Sequence, residues 1–243
     1  MKFMRSSETA REVEFSIGID LAWSPKNPSG VAVLDREARL VEYLYTRNID
    51  DILALIRRYP DAVVGVDAPL VITNETGHRS HERDFLKVFS RHGLGLHAVN
   101  TALFEKRFPR YNGFVLYEEL KAAGFGFDRE NLFEVYPHAT ILACFNGGNV
   151  LRYKASAPKT ERIENLWKLQ TELFETVTVP NRLQTDIFPL KGKALKEKED
   201  FLDALVCAWT LLHCRRSDCL RFGDPVQGIL LTPGPKHIDK EFL

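Results

Sequence analysis

The chain has 243 residues, 44% of them hydrophobic, and its 33 lysines and arginines are balanced by 33 aspartates and glutamates. This length and composition predict a soluble α/β protein with ample core, organised as one domain over residues 1–243. Zero net charge excludes a global positive field, so any binding of nucleic acid would have to come from a local basic patch.

The cellular compartment is predicted from what the chain lacks. No apolar run approaches the roughly 20 residues that cross a bilayer, and residues 1–14 are too polar for a signal peptide. We therefore expect a cytoplasmic protein that has no membrane partner. The four cysteines form no Cys-x-x-Cys pair, and three lie in or near one apolar helix. This pattern favours buried, reduced thiols over zinc ligands or disulfides.

Two short segments share one pattern, in which a glycine between branched aliphatic residues is followed by an aspartate. Ile17 to Asp20 lies in an apolar run that predicts a buried strand, and Val64 to Asp67 ends a second such run. Residues two apart share one face of a strand, so each aspartate stands beside a gap that an ion, a substrate group or a packed helix could fill. For either segment alone, an aspartate that ends a strand and bonds to a turn explains the pattern equally well.

The other elements follow in chain order. Two strand-like runs after Asp20 predict an antiparallel meander, and a helix beginning near Asn48 leads to the Asp67 strand. A later apolar run predicts a strand that contains Glu134, and an amphipathic pattern predicts a helix with Trp167 among its core residues. The predicted strands are 16–23, 31–34, 40–45, 62–67 and 132–137, with an edge strand at 228–232. The predicted helices are 49–56, 114–123, 158–176 and 199–212, with a loop at 179–198.

The stretch at about 75–124 is predicted to be a basic helical insertion. Between Glu75 and Arg110, seven lysines and arginines face four acids, and four of the seven histidines lie in the same part of the stretch. Arg79, Arg83 and Arg91 are candidate contacts to the phosphates of a nucleic-acid substrate. A solvated surface explains the same charges equally well, and the histidine spacing does not favour a metal site.

The helix predicted at 199–212 is apolar nearly all round, and Asp203 lies inside its apolar part. One interpretation is that Asp200 and Asp203 stabilise the positive end of the helix dipole, by roughly 0.3–1 kcal/mol each. We assign Asp200 to that role. Asp203 is instead a candidate site residue.

The order of these elements is similar to the ribonuclease H-like fold. That fold is a mixed five-stranded sheet, a three-strand antiparallel meander plus parallel strands, flanked by helices. Its first and fourth strands are neighbours, which would bring Asp20 next to Asp67, with the Asp203 helix packed over both. Clustered carboxylates raise one another's pKa and require cations. Such a site suits Mg²⁺ or Mn²⁺, and two such ions can promote phosphodiester cleavage.

The chain also resembles a narrower family, a domain-of-unknown-function family of predicted nucleases with this fold. The resemblance rests on the segments 18–20, 65–70, 134–137, 203–208 and 223–229. It implies a nuclease with Asp20, Asp67, Glu134 and Asp203 as both metal ligands and catalytic acids. The segment 79–84 resembles the family's arginine-rich motif, with Glu82 where that motif has aspartate.

Two alternatives come from other functional classes. A nucleotide-binding phosphotransferase of the actin and sugar-kinase type has a related core, but it needs a glycine-rich turn after the first aspartate. Here Leu21, Ala22 and Trp23 follow Asp20, which disfavours it. The second alternative is a non-catalytic module that keeps the acids for structure.

Overall fold

The computed structural model describes residues 2–4 and 13–235. Within these residues the strands are β1 (Lys2–Met4), β2 (Phe15–Asp20), β3 (Ser29–Asp35), β4 (Leu40–Thr46), β5 (Val63–Val66), β6 (Leu132–Val135), β7 (Cys219–Asp224) and β8 (Gly228–Pro233). They form one mixed sheet in the order β1-β7-β8-β6-β5-β2-β3-β4.

Helices connect the strands and cover the sheet. They are α1 (Ile49–Ile56), α2 (Ser80–Phe89), α3 (Thr101–Arg107), α4 (Asn112–Ala122), α5 (Pro137–Thr140), α6 (Lys159–Thr176) and α7 (Gly192–Arg216). The predicted helical stretch between the Asp67 and Glu134 strands is therefore present as α2 to α4. None of the helices in the described part of the chain is both long and apolar enough to cross a membrane.

The five predicted strands of the central sheet are neighbours. Strands β2, β3 and β4 form an antiparallel meander, while β5 and β6 continue the sheet parallel to β2. The sheet is larger than five strands because β8, β7 and β1 extend it beyond β6. The prediction that 228–232 forms an edge strand is wrong, since β8 pairs with β6 on one side and with β7 on the other.

Helix α7 lies directly on the central strands because glycines remove the side chains that would hold it away. A Cβ added at Gly18 would collide with backbone atoms of Ala204 and Ala208, and one at Gly30 would lie 2.7 Å from the carbonyl oxygen of Asp200. Of the three occupants considered for the gap beside Asp20, the structure therefore shows a packed helix. The contact fixes the height of α7 over β2 and β3.

The opposite face of the sheet carries the alternating aliphatic residues. Ile17 and Ile19 point away from α7, since neighbouring residues of a strand face opposite ways. They belong to a core cluster that includes residues of α1 and α4, among them Leu53 and Leu120. Asn48 caps α1 by accepting a hydrogen bond from the Asp50 amide at 3.1 Å, which agrees with the predicted start of this helix.

Three other local predictions are wrong. Helix α7 begins at Gly192, inside the segment predicted as a loop, because residues 193–199 are mostly strong helix formers. Trp167 is 46% exposed and is not a core residue. Cys214 and Cys219 form a disulfide that joins the end of α7 to β7, whereas Cys207 remains a buried thiol.

Candidate functional site

Asp20 and Asp67 lie side by side at the carboxyl ends of two parallel strands. The register pairs Gly18 with Gly65, and the Asp67 amide continues the ladder by donating to the Ile19 carbonyl at 2.8 Å. Each aspartate is two residues beyond its glycine, so both side chains lie on the α7 side of the sheet. The repeated pattern in the sequence thus places two half-buried carboxylates side by side at the carboxyl ends of two central strands.

Asp203 approaches the same edge from α7 and is completely buried. Tyr153 and Lys154, in the segment before α6, contact both carboxylate oxygens of Asp203. The Tyr153 hydroxyl donates to Oδ1 at 2.7 Å, and the Lys154 ammonium group pairs with Oδ2. Lys154 Nζ is also 3.6 Å from Glu199 Oε1.

The ionisation of Asp20 and Asp67 shows that the three aspartates form one electrostatic unit. Burial raises the pKa of Asp20 well above its usual value; Lys154 opposes this, and the carboxylates of Asp203, Asp200 and Asp67 add to it. Burial likewise raises the pKa of Asp67 to about 7; the Lys154 charge lowers this pKa, and the Asp203 carboxylate raises it further. Burial and the neighbouring carboxylates therefore both disfavour the charged forms of Asp20 and Asp67, and Lys154 offsets this only in part.

A second group of charges surrounds this centre and is balanced within itself. Glu199 pairs with Arg162 at 2.7 Å and with Lys196 at 2.7 Å. Asp200 pairs with Lys196 at 2.6 Å and accepts a hydrogen bond from the Tyr45 hydroxyl at 3.1 Å. The assignment of Asp200 to the helix dipole is wrong, because Asp200 lies more than two turns inside α7 and is buried.

Glu134 does not join the aspartates. It lies opposite Val66 in the sheet, so its side chain points to the face away from α7. There Arg79 donates to both carboxylate oxygens, at 2.8 and 2.7 Å, and the Leu70 amide donates at 2.7 Å. Burial alone would raise the pKa of Glu134, but the Arg79 guanidinium and the neighbouring His81 ring together outweigh it and lower the pKa to about 2. This placement favours a structural ion pair over a ligand role.

The three candidate arginines therefore differ in what they can contact. Arg79 is 6% exposed, and its guanidinium also donates to Glu82 and to the Val71 carbonyl, so it is not available to a phosphate. Arg83 and Arg91 are exposed on or just after α2. Their assignment as phosphate contacts stays a prediction.

A pocket of about 100 Å³ lies beside Asp67 and Glu134. Asp67 and Glu134 both line it, and Trp23, Tyr136 and Leu96 supply part of its mainly apolar wall. Its position at the carboxyl ends of β5 and β6 is where open α/β sheets bind ligands.

The chemistry of the donors fits a hard divalent cation. Asp20, Asp67 and Asp203 offer oxygen ligands only, as Mg²⁺ and Mn²⁺ prefer. Asp203 raises the pKa of both Asp20 and Asp67, and a bound cation would relieve that repulsion. Among residues 2–4 and 13–235, however, no group of three or more acidic, histidine or cysteine side chains is arranged around a ready ion position. Binding an ion therefore requires the carboxylates to rearrange relative to Lys154.

Sequence reasoning missed Lys154, Tyr153 and the pair formed by Lys196 with Asp200. Lys154 follows a buried tyrosine in an irregular segment, so no periodicity places it anywhere in particular. The one available signal was the buried charge of Asp203, which demands a partner of opposite sign.

The fold and these residues define an α/β protein with a carboxylate centre at the carboxyl edge of its central parallel strands. The family described as "Protein of unknown function (DUF429)" matches residues 18–227, and the chain belongs to that family. Searches of curated proteins and of solved structures found no match.

Proposed function

We propose that this chain is a divalent-cation-dependent hydrolase of phosphodiester bonds in nucleic acid, with Asp20, Asp67 and Asp203 as the ligands of Mg²⁺ or Mn²⁺. The observation that carries the proposal is the convergence of these three carboxylates, one from each of β2, the end of β5 and α7. Like charges that are close together and partly shielded from water cost free energy unless a cation accompanies them. The position of three carboxylates at one point therefore favours ion binding.

The order of the strands supports a ribonuclease H-like core within this proposal. The run β6-β5-β2-β3-β4 has the antiparallel meander and the parallel strands expected of that fold. Strands β2 and β5, the first and fourth of this core in chain order, are neighbours as expected. Fold alone does not define activity, so the functional argument rests on the carboxylates.

The parts of the site have distinct tasks in the proposed reaction. A bound divalent ion would polarise a phosphoryl oxygen and make a water molecule more acidic. Asp20 and Asp67 would hold the ion from the sheet, and Asp203 would hold it from α7. Tyr153 fixes the orientation of Asp203 through its 2.7 Å hydrogen bond. The exposed Arg83 and Arg91 would position the phosphate backbone without reading bases.

Cleavage of labelled single- and double-stranded DNA and RNA, with Mg²⁺, Mn²⁺ or EDTA, tests the proposal. The wild-type chain should cleave at least one of these polymers only with the metal, and Asp67→Asn should abolish cleavage. Asp84→Asn is the matched control, because it removes a carboxylate whose side chain is 45% exposed and pairs with Lys87. Equal loss in both variants, or activity retained in Asp67→Asn, would contradict the assignment.

A non-catalytic module is the second candidate, and Lys154 is the observation that favours it. An ammonium group already contacts Asp203 and acts on both other aspartates, so the acids have a partner without a metal. A chain that binds no divalent ion and cleaves none of the polymers, while remaining folded, would support this candidate.

The phosphotransferase alternative gains no support from the turn after Asp20. The Ala22 amide donates to the Ser29 hydroxyl at 3.0 Å, so this backbone group is used within the protein and does not face a phosphate. Binding of a mononucleotide that is insensitive to salt and unchanged in Arg83→Ala/Arg91→Ala would revive it.

A further inference from the structure

We propose that Lys154 is a built-in cation of the carboxylate centre, so that the centre takes one divalent ion and not two. This inference rests on the proposed function, since it concerns how many ions the aspartates accept. Lys154 would act as a positioning residue, through its charge and through its contact with Asp203.

Lys154 contacts Asp203 directly and lies close enough to Asp20 and Asp67 to interact with their charges. Its Nζ forms an ion pair with Asp203 Oδ2, and Asp20 and Asp67 both raise the pKa of its ammonium group, against the effect of burial. The side chain is 29% exposed, whereas the Asp203 carboxylate is completely buried. The lysine thus reaches the centre from its solvent side, the side from which an ion and a substrate would enter.

Charge balance then limits the number of ions. The surrounding Glu199 and Asp200 are neutralised by Arg162 and Lys196. Three aspartates and one ammonium group remain, which leaves two negative charges when all are ionised. One divalent cation neutralises these charges, whereas two would leave an excess of positive charge in a partly buried site.

The local chain explains why the lysine is held there. Tyr153 and Lys154 are adjacent in the chain, and each contacts one oxygen of Asp203, so together they fix the position of the carboxylate. Tyr153 is completely buried, which anchors the backbone of the next residue. The flexible lysine side chain can shift off the Asp203 oxygen when an ion arrives while its charge stays at the centre, and the tyrosine stays in place.

Titration of the purified full chain with Mn²⁺, followed by calorimetry and by the electron paramagnetic resonance of free Mn²⁺, tests this inference without any activity measurement. Wild type should bind one Mn²⁺ per chain. Lys154→Met removes both the charge and the competitor for Asp203, so it should bind the ion at least about tenfold more tightly. Lys154→Arg keeps the charge and should stay within about threefold of wild type.

Two controls keep the outcome readable. Lys87→Met removes an exposed lysine that pairs with Asp84, and it should leave Mn²⁺ affinity unchanged. Lys154→Gln repeats the charge removal with a side chain that can still donate to Asp203, in case the Met variant does not fold. Each variant is compared only after circular dichroism shows wild-type secondary structure.

The possible results separate the two claims. Two Mn²⁺ ions in wild type, or an affinity unchanged in both neutral variants, would overturn the role of Lys154 and leave the proposed metal centre standing. No saturable Mn²⁺ binding in wild type and in the neutral variants would overturn the proposed function and, with it, this inference.

Discussion

Replacement of Arg79 by Met should destabilise the protein strongly at neutral pH. The side chains of Arg79 and Glu134 are 7% and 3% exposed, and two hydrogen bonds of 2.8 and 2.7 Å join them. Removing one partner of a buried ion pair leaves a charge with no compensation and typically costs about 3–5 kcal/mol. The lowering of the Glu134 pKa from 4.5 to about 2 corresponds to roughly 3 kcal/mol, which agrees in size.

The pH dependence of this effect has a defined sign. A carboxylate whose pKa is lowered by folding stabilises the protein above its unfolded pKa, near 4.5, and loses that contribution as the pH falls toward 2. The difference in unfolding free energy between wild type and Arg79→Met should therefore be largest at pH 6–7 and shrink toward pH 3. Urea denaturation at several pH values measures it.

Two comparisons make the test specific. Arg83→Met removes an exposed arginine four residues further along, and it should change stability by less than about 0.5 kcal/mol. Arg79→Met/Glu134→Met removes both charges and should recover much of the loss, because no buried charge remains. A loss below about 1 kcal/mol in Arg79→Met, or a double variant as unstable as the single one, would refute the reasoning.

Three further predictions concern the helix contact, the acidic centre and the basic surface. Gly18→Ala should lower the free energy of unfolding by more than about 3 kcal/mol or prevent folding, because the added Cβ would overlap the α7 backbone. A melting temperature within about 4 °C of wild type would contradict this close approach. Without metal, Asp20→Asn should be more stable than wild type at pH 8 and close to wild type at pH 4, since the raised pKa of Asp20 means that its charge opposes folding as the pH rises. Loss of folding would instead indicate a structural role. Arg83→Ala/Arg91→Ala should weaken nucleic-acid binding for all sequences alike and flatten its salt dependence by roughly 0.7–0.9 per lost phosphate contact; an unchanged slope would remove these residues from the interface.

The parts of the site that the sequence predicts are those that depend on local geometry. Gly18 and Asp20, like Gly65 and Asp67, share a strand face whatever the rest of the chain does. A helix as apolar as the middle of α7 has to be buried, which puts Asp203 near the sheet. The helix dipole assignment of Asp200 failed because it depended on the start of α7, and helix ends are poorly defined by sequence.

The parts that the sequence does not predict depend on register and on contacts between distant segments. Glu134 pairs with Val66 and not with Asp67, and this offset of one residue turns its side chain to the other face. The partners of Glu134 and Asp203 are Arg79 and Lys154, 55 and 49 residues away in the chain. The disulfide between Cys214 and Cys219 spans only five residues, and it depends on the chain turning back between the end of α7 and β7.

Anomalous X-ray scattering from a crystal soaked in Mn²⁺ tests the central claim most directly. The account predicts one peak within bonding distance of the carboxylates of Asp20, Asp67 and Asp203, with Glu134 still bound to Arg79. A peak on Glu134, or none at the three aspartates at Mn²⁺ concentrations that support cleavage, would contradict it.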